Sequence, residues 1–271
     1  MLHKIKYYIS VAGFFMKLNI QAQMEYPAFL IGYFITNAFQ FLTGISSIFF
    51  VVNTFHSING WIFKEIAFMY GIGVISHALS IIFFIQTWYV EYLVVHGEFD
   101  QMKLRPLNVF FQFCVMKLNL IGLTDMLPGL IIFIYGSNAI DFQWSFENTV
   151  KLLLVIVGAT LIRGSIYALS SSVAFWTKRS SDFTRVFHDL FQKVFTYPLT
   201  VYGKLIQGLL TFIIPIGFVC FYPAAEFMDK DTGFIFPIPA TIITFAIGAV
   251  LFGLTFIVFD KGIKAYQSAG N

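Results

Sequence analysis

The sequence predicts an all-α integral membrane protein with six transmembrane helices, on three observations. Of its 271 residues, 58% are hydrophobic and only 11% are charged, and the mean hydropathy is +0.78. Soluble domains carry about 25% charged residues. Six apolar runs come near or above the roughly 20 residues that a helix needs to cross the hydrocarbon layer, and helices satisfy their own backbone groups there. The alternating ten-residue pattern of a membrane barrel is absent. The basic residues, finally, fall in alternate loops.

The chain reads as a single domain over residues 1–271, with an N-terminal segment 1–26, a transmembrane bundle 28–259 and a tail 260–271. The opening stretch MLHKIKYYISVAGFFMKLNIQAQMEY is basic, without an uninterrupted apolar core or a small-residue cleavage site. It is expected to be an interfacial helix over about 4–22 and not a signal peptide. Spans are expected at 28–53, 64–86, 119–138, 151–176, 201–223 and 236–259.

Six spans put both termini on one side. With that side cytoplasmic, the inner segments hold Lys4, Lys6, Lys17, Lys103, Arg105, Lys117, Lys178, Arg179, Arg185, Lys193, Lys204, Lys261 and Lys264. The outer segments hold Lys64, Lys151 and Lys230, together with the acidic Glu65, Asp141, Glu147, Glu226, Asp229 and Asp231. The excess of inner cations follows the positive-inside rule for a bacterial-type plasma membrane.

Between spans 2 and 3 lies HGEFDQMKLRPLNVF, residues 96–110, the most compactly charged stretch of the chain. Gly97 permits an unusual backbone angle, and a helix cannot continue through Pro106. Residues Glu98 to Leu104 are therefore expected to form about two helical turns presented to the cytoplasm. The plain alternative is a solvated hairpin between two spans.

After span 4 ends at Phe175 and Trp176, the residues Phe183, Val186, Phe187, Leu190, Phe191 and Val194 share a helical stripe. Asp182, Arg185, Asp189 and Lys193 fill much of the rest. This pattern predicts an amphipathic helix lying along the inner leaflet. Pro198 ends it, Pro215 is expected to bend span 5, and Pro223 marks the outer end of that span. The segment that follows, PAAEFMDKDTGFIFPIP, is too polar to span and is expected to form brief helices at the outer surface.

Several chemistries are excluded. The net charge of +3 gives no support for a nucleic-acid partner. There is no G-x-x-x-x-G-K-[ST] phosphate loop and no zinc-ligand spacing among His3, His56, His77, His96 and His188. Cys114 and Cys220 sit in apolar surroundings and read as small buried side chains. No paired catalytic residues at depth point to an intramembrane enzyme. Two charges stand inside spans, Asp125 and Arg163, and His77 lies in span 2. A charge at that depth costs about 2.5–3.5 kcal/mol on the lenient scale, so these residues should face the bundle interior, a translocation path or a dimer interface. Whether Asp125 and Arg163 pair is left open, since their depths differ by roughly two helical turns. Ser170, Ser171 and Ser172 suit close helix packing.

The run G-E-F-D-x-x-x-L-R-P-L from Gly97 to Leu107, the A-F-W closing span 4, and Y-P, I-I-P and Y-P-A in order resemble the membrane (permease) subunits of exporter-type, type-2 ABC transporters, in their six-span branch. The similarity covers nearly the whole chain. It implies a half-transporter that pairs with a second permease, identical or related, and with a separate cytoplasmic P-loop ATPase carrying ATP and Mg. The chain itself would hold no cofactor and catalyse nothing. The resemblance further implies that Glu98–Leu104 is a coupling helix docked on the ATPase, with Gly97 and Pro106 fixing its ends. Phe99, Lys103 and Leu104 would belong to that contact, Asp100 and Arg105 being its charged members. The cargo would be amphipathic or hydrophobic: a peptide antibiotic, a drug or a lipid-like molecule. The competing reading is a self-contained secondary transporter or channel working through Asp125 and Arg163. That class ordinarily shows several intramembrane acids or inverted repeats, and neither is visible here.

Overall fold

The computed structural model describes residues 2–115, 119–234 and 237–266; Lys117 and the end of the tail, 267–271, lie outside them. The described residues are helical, with no strand. Helix α1 runs Leu2–Met24, and α2 runs Pro27–Phe55, with proline in its first turn where no amide partner is needed. After a tight turn at 56–62 comes α3, Phe63–Phe84. Glu65 folds back to accept from the Ile62 amide at 2.8 Å and closes the start of α3. A 3₁₀ stretch, Ile85–Tyr89, leads into α4, Val90–Val95, and α5, Glu98–Lys103. Next are α6, Val109–Val115, and α7, Ile121–Ala139. Helix α8, Phe146–Ser172, starts under the Ser145 hydroxyl, which accepts from the Asn148 amide at 3.1 Å. The short α9, Ala174–Thr177, and α10, Ser181–Val194, follow. Then come α11, Lys204–Gly208, a π-turn at Leu209–Ile213, α12, Phe221–Phe227, and α13, Ala240–Ala265.

Four stretches are long and apolar enough to cross a membrane: Pro27–Phe55, Phe63–Val95, Phe146–Thr177 and Ala240–Ala265. Helix α7 carries Asp125 and Pro128 and is less apolar, yet it lies antiparallel along the whole of α3. Gly122 meets Ala78 and Ile82, Gly129 meets Val74 and Ile75, and Gly136 meets Ala67 and Phe68. These glycines recur every seventh residue, so one face of α7 has no side chains to hold the backbones apart. From the other helix Gly71 does the same: a Cβ there would stand 2.6 Å from Phe133 Cα. Helices α8 and α13 cross in the same way, Gly158 against the Phe245 backbone and Gly248 against Gly158.

The segment 201–223 is not the continuous span that its hydropathy suggests. It is broken into α11, a π-turn, a 3₁₀ turn at Ile216–Phe218 and the start of α12. Pro215, lacking an amide, sits at the break with ψ 50°. The result is a hairpin that enters and leaves from one end of the bundle. At its entrance Gln207 donates to Thr232 O at 2.8 Å, and Thr211 meets the Tyr222 hydroxyl across it at 2.6 Å. On its return limb Glu226 accepts from the Thr241 amide at 2.8 Å. At the tip, the Phe218 carbonyl accepts from Thr244. That end also holds Lys230, which pairs with Glu65 at 2.7 Å, donates to Gly60 O at 2.6 Å and lies over the Trp61 ring. Lys204 donates to Gly233 O at the same end, so it leaves the group of inner cations to which its position in sequence assigns it.

Helix α10 is likewise not set apart from the bundle on its surface. It returns antiparallel to α8, with Ser170 Oγ 3.2 Å from Thr184 Oγ1 and Tyr167 edge-on to Phe191. Along α3 it climbs from Ser181 beside Glu91, past Gln192 beside His77, to Phe195, which stacks on Tyr70 and packs on Gly73. Asn59, in the turn between α2 and α3, then donates to Thr200 O at 2.7 Å. Residues 181–200 thus join the two ends of the bundle.

The glycine seams give a direct test. Gly71→Ala forces its methyl into the Phe133 backbone, which cannot rotate away, and should cost about 1–3 kcal/mol, the usual penalty of overpacking. Gly253→Ala, facing open space in the interior of α13, should hold or raise the detergent melting temperature, since alanine is the better helix former. Equal melting of both variants would refute the close α3–α7 contact.

Candidate functional site

Two features combine polar or charged side chains with a specific placement. The first is α5. Gly97 adopts a left-handed φ of 70°, where a side chain would be strained, and starts the helix by reversing the chain out of α4. Phe99 and Met102 are buried in a small core with Val90, Leu93 and Val94 of α4, Phe113 of α6, Phe175 of α9, and Phe259 and Tyr266 at the end of the chain. Phe99 meets Phe175 edge-on at 5.1 Å. This anchors one face and turns the other outward. Lys103, Leu104, Arg105 and Pro106 are exposed, while Glu98 and Asp100 are half-buried. Lys103 lies over the Tyr266 ring at 4.7 Å. The end of the helix is held by the Gln112 amide, which donates to the carbonyls of Met102 and Leu107 at 2.8 and 3.0 Å. Leu104, 87% exposed, stands between two cations with nothing apolar against it.

Helix α1 reaches the same region. Tyr8 packs edge-on against Phe111 at 4.6 Å, and Gln23 Oε1 accepts from the Leu120 amide at 2.7 Å. Between α1, α2 and the beginning of α7 lies a cavity of about 570 Å³ lined by Asn19, Gln23, Tyr26, Phe29, Tyr33 and Tyr89 among others, a neutral lining of both polar and apolar groups.

The second feature is buried. Arg163 of α8 is fully inaccessible, and His77 and Asp125 are 5% and 4% exposed. His77 stands between the two charges. Its Nδ1 lies 3.3 Å from an Arg163 terminal nitrogen, and its Nε2 lies 3.7 Å from Asp125 Oδ2. A guanidinium can only donate, so Nδ1 accepts and the ring proton of neutral His77 sits on Nε2. That proton faces Asp125 and the Gln192 amide of α10, 3.1 Å away, whose oxygen must turn toward it. Asp125 also accepts from Asn37 of α2 at 2.5 Å, and Asn37 donates to Thr124 at 2.9 Å. Arg163 also meets Gly73 O at 3.5 Å and the faces of Phe191 and Phe195, 4.8 and 5.3 Å from its central carbon, while its buried Nε finds no hydrogen-bond partner among the described residues. His188 of α10 rests near His77, Tyr167 and Trp88. Five helices therefore meet through one polar joint.

The residues singled out from sequence fall into three groups. Gly97 through Pro106 form the exposed turn-helix, and Asp125, Arg163 and His77 come together. The prolines separate: Pro198 lies where the chain leaves α10, Pro215 at the hairpin break, and Pro223 in the first turn of α12. Sequence reading missed Asn37, Gln192 and Gln112. The first carried a usable signal, since Asn37 is an amide in a helix otherwise rich in apolar and aromatic residues, and a buried charge needs such partners.

A family model described as ABC-2 family transporter protein matches residues 34–270. No curated protein and no solved structure gives a significant match.

If His77 joins the two charges, Asp125→Asn and Arg163→Met should not act independently. Their combined loss of stability in detergent should differ from the sum of the single losses by about 0.5–3 kcal/mol, as for residues sharing one network. Simple additivity would show that the joint does not connect them.

Proposed function

The chain belongs to the ABC-2 family of transporter membrane proteins, and from that premise we propose that it is the permease half of an ATP-driven exporter. An ABC permease of this family is a membrane component with no ATPase domain of its own, and the family implies an ATPase partner. In our reading the six crossing helices are α2, α3, α7, α8, α10 and α13, both termini are cytoplasmic, and a second permease completes the path. Nucleotide and Mg would bind on the ATPase.

The observation that carries the reading is the build of α5. Its Phe99 and Met102 are locked into a core shared with four other elements, so a push on its outer face is not absorbed locally. That outer face offers Leu104, 87% exposed between Lys103 and Arg105, an apolar group with a polar rim. Helix α1 braces the segment that follows. Glu98–Leu104 is thus the coupling helix, and α1 the connecting helix at the membrane surface.

The placement of α10 supports alternating access. Its outward stripe of Asp182, Arg185, Asp189 and Lys193 is exposed in the single chain. On a crossing helix such a stripe must face water or a partner, because charges against lipid are costly. Two copies of the chain side by side would give it both. The cargo is amphipathic or hydrophobic, in keeping with the neutral cavity beside α1, which opens at the α5 end of the bundle. Asp125 and Arg163 are accounted for as the joint between helices, which takes from the ion-coupled alternative the two residues it rests on.

Purification of the tagged chain from its native membrane should bring down a P-loop ATPase in stoichiometric amount. Arg105→Glu and Asp100→Lys should each lower that recovery by about tenfold or more, equivalent to 1.4 kcal/mol, while the melting temperature of the permease stays put. Undiminished recovery and coupled hydrolysis in both variants would remove α5 from the contact.

A further inference from the structure

Helix α10 begins without a cap of its own: Ser180 places no side-chain oxygen on the first-turn amides. The missing acceptor comes from another helix. Glu91 of α4 directs one carboxylate oxygen at three donors: the Ser180 amide, the Ser181 amide and the Ser181 hydroxyl, each at 2.6 Å. A carboxylate at a helix N-terminus is favoured by the unpaired amides and by the helix dipole, and charged acceptors make the stronger hydrogen bonds. The bond is therefore stiff, and it crosses between elements 89 or 90 residues apart in sequence.

Its two sides are mechanically distinct. Glu91 belongs to a unit with α5: Val90, Leu93 and Val94 share a core with Phe99 and Met102, and only the His96–Gly97 turn separates the helices. The Tyr266 hydroxyl on Val94 O and the Tyr92–His96 stack tie that turn down further. Helix α10, in contrast, is set off from α9 by Lys178, which takes a left-handed φ of 59°. The turn is held by the Thr177 hydroxyl, which donates to Arg179 O at 2.6 Å and accepts from the Arg179 amide at 3.2 Å, so α10 starts at a fixed reversal of the chain with Glu91 as its acceptor. Farther along, α10 carries Gln192 against His77, and Phe191 and Phe195 against Arg163.

We infer that Glu91 is the link through which the α4–α5 unit moves α10, a positioning residue of the transport cycle. The inference rests on the reading of α5 as the ATPase contact. A displacement of α5 carries α4, Glu91 pulls on the α10 N-terminus, and α10 shifts its charged outer stripe and its contacts with the buried joint together. The grip acts by accepting hydrogen bonds, so it depends on an oxygen at the right reach and not on bulk.

The test uses the permease with its ATPase in lipid vesicles. Cys114 and Cys220 are replaced by Ala, and Asp189→Cys on the exposed α10 stripe serves as reporter. The labelling rate by a membrane-impermeant maleimide is compared with and without ATP and vanadate. The parent should change its rate by about threefold or more on trapping, as expected for a population shift between two states. Glu91→Ala should still bind the ATPase and hydrolyse ATP yet lose that change. Should it fail to accumulate, Glu91→Asp, one methylene short, should lose most of it. Glu91→Gln, which keeps an accepting oxygen at full reach, should recover most of it. A full change in Glu91→Ala or Glu91→Asp overturns the role of Glu91 while leaving the permease reading intact. A parent with bound, active ATPase and no change in labelling would count against both.

Discussion

The constraint on which the rest of the structure depends is the burial of one guanidinium. Arg163 has no exposed surface, and a charge at such depth is tolerable only when protein replaces the water it has lost. Helix α3 contributes His77 and the Gly73 carbonyl, and α10 contributes two aromatic faces. Asp125 supplies an acidic group one imidazole away. None of these elements can leave without stranding the others, which fixes α3, α7, α8 and α10 around a common point. Asn37 extends the hold to α2. A polar cluster is thus the specifying element of a bundle whose apolar surfaces alone would pack in several ways, since lipid and side chains are about equally apolar.

The same cluster accounts for what the sequence revealed and concealed. Residues 96–110 were legible because their signals are local: Gly97 and Pro106 bound a helix whatever surrounds them, and α5 spans Glu98–Lys103. Helices α2, α3, α8 and α13 were legible by hydropathy, with ends shifted by a few residues. The span expected at 201–223 was not. Residues 201–223 are more apolar than 181–194, yet the apolar run is the broken hairpin and the amphipathic run is the one that packs through the bundle. An alternating pattern of Asp182, Arg185, Asp189 and Lys193 is the same for a helix on a membrane surface and for one beside a polar path. Periodicity reports a two-faced helix but does not say what either face meets. The unmet needs of Arg163 were the available clue, because a buried charge requires partners that α3 and α7 alone do not provide. The seven-residue glycine spacing of α7 was a second signal, visible in the letters at 122, 129 and 136.

The architecture separates into two ends joined by α10. At one end, α4, α5, α6, α9 and Tyr266 form a small aromatic core whose outer face is a short charged helix. At the other, Lys230 binds the turn before α3, and the hairpin 204–227 closes over the beginning of α13. In the proposed cycle, force applied at α5 travels along helices, and α10 is the one both gripped at its start by Glu91 and attached to the central joint. Such a path from one end of the bundle to its interior is what the proposed drive by a separate ATPase would use.

The account stands on α10 passing through the bundle from one side of the membrane to the other. With Cys114 and Cys220 replaced by Ala, Arg179→Cys and Gly203→Cys place single reactive sites at its two ends, both exposed, the second with open space around its Cβ. In sealed vesicles of known orientation, an impermeant maleimide should reach position 179 only from the cytoplasmic face and position 203 only from the opposite face. Labelling of both positions from the cytoplasmic face would return α10 to the inner surface and contradict the account.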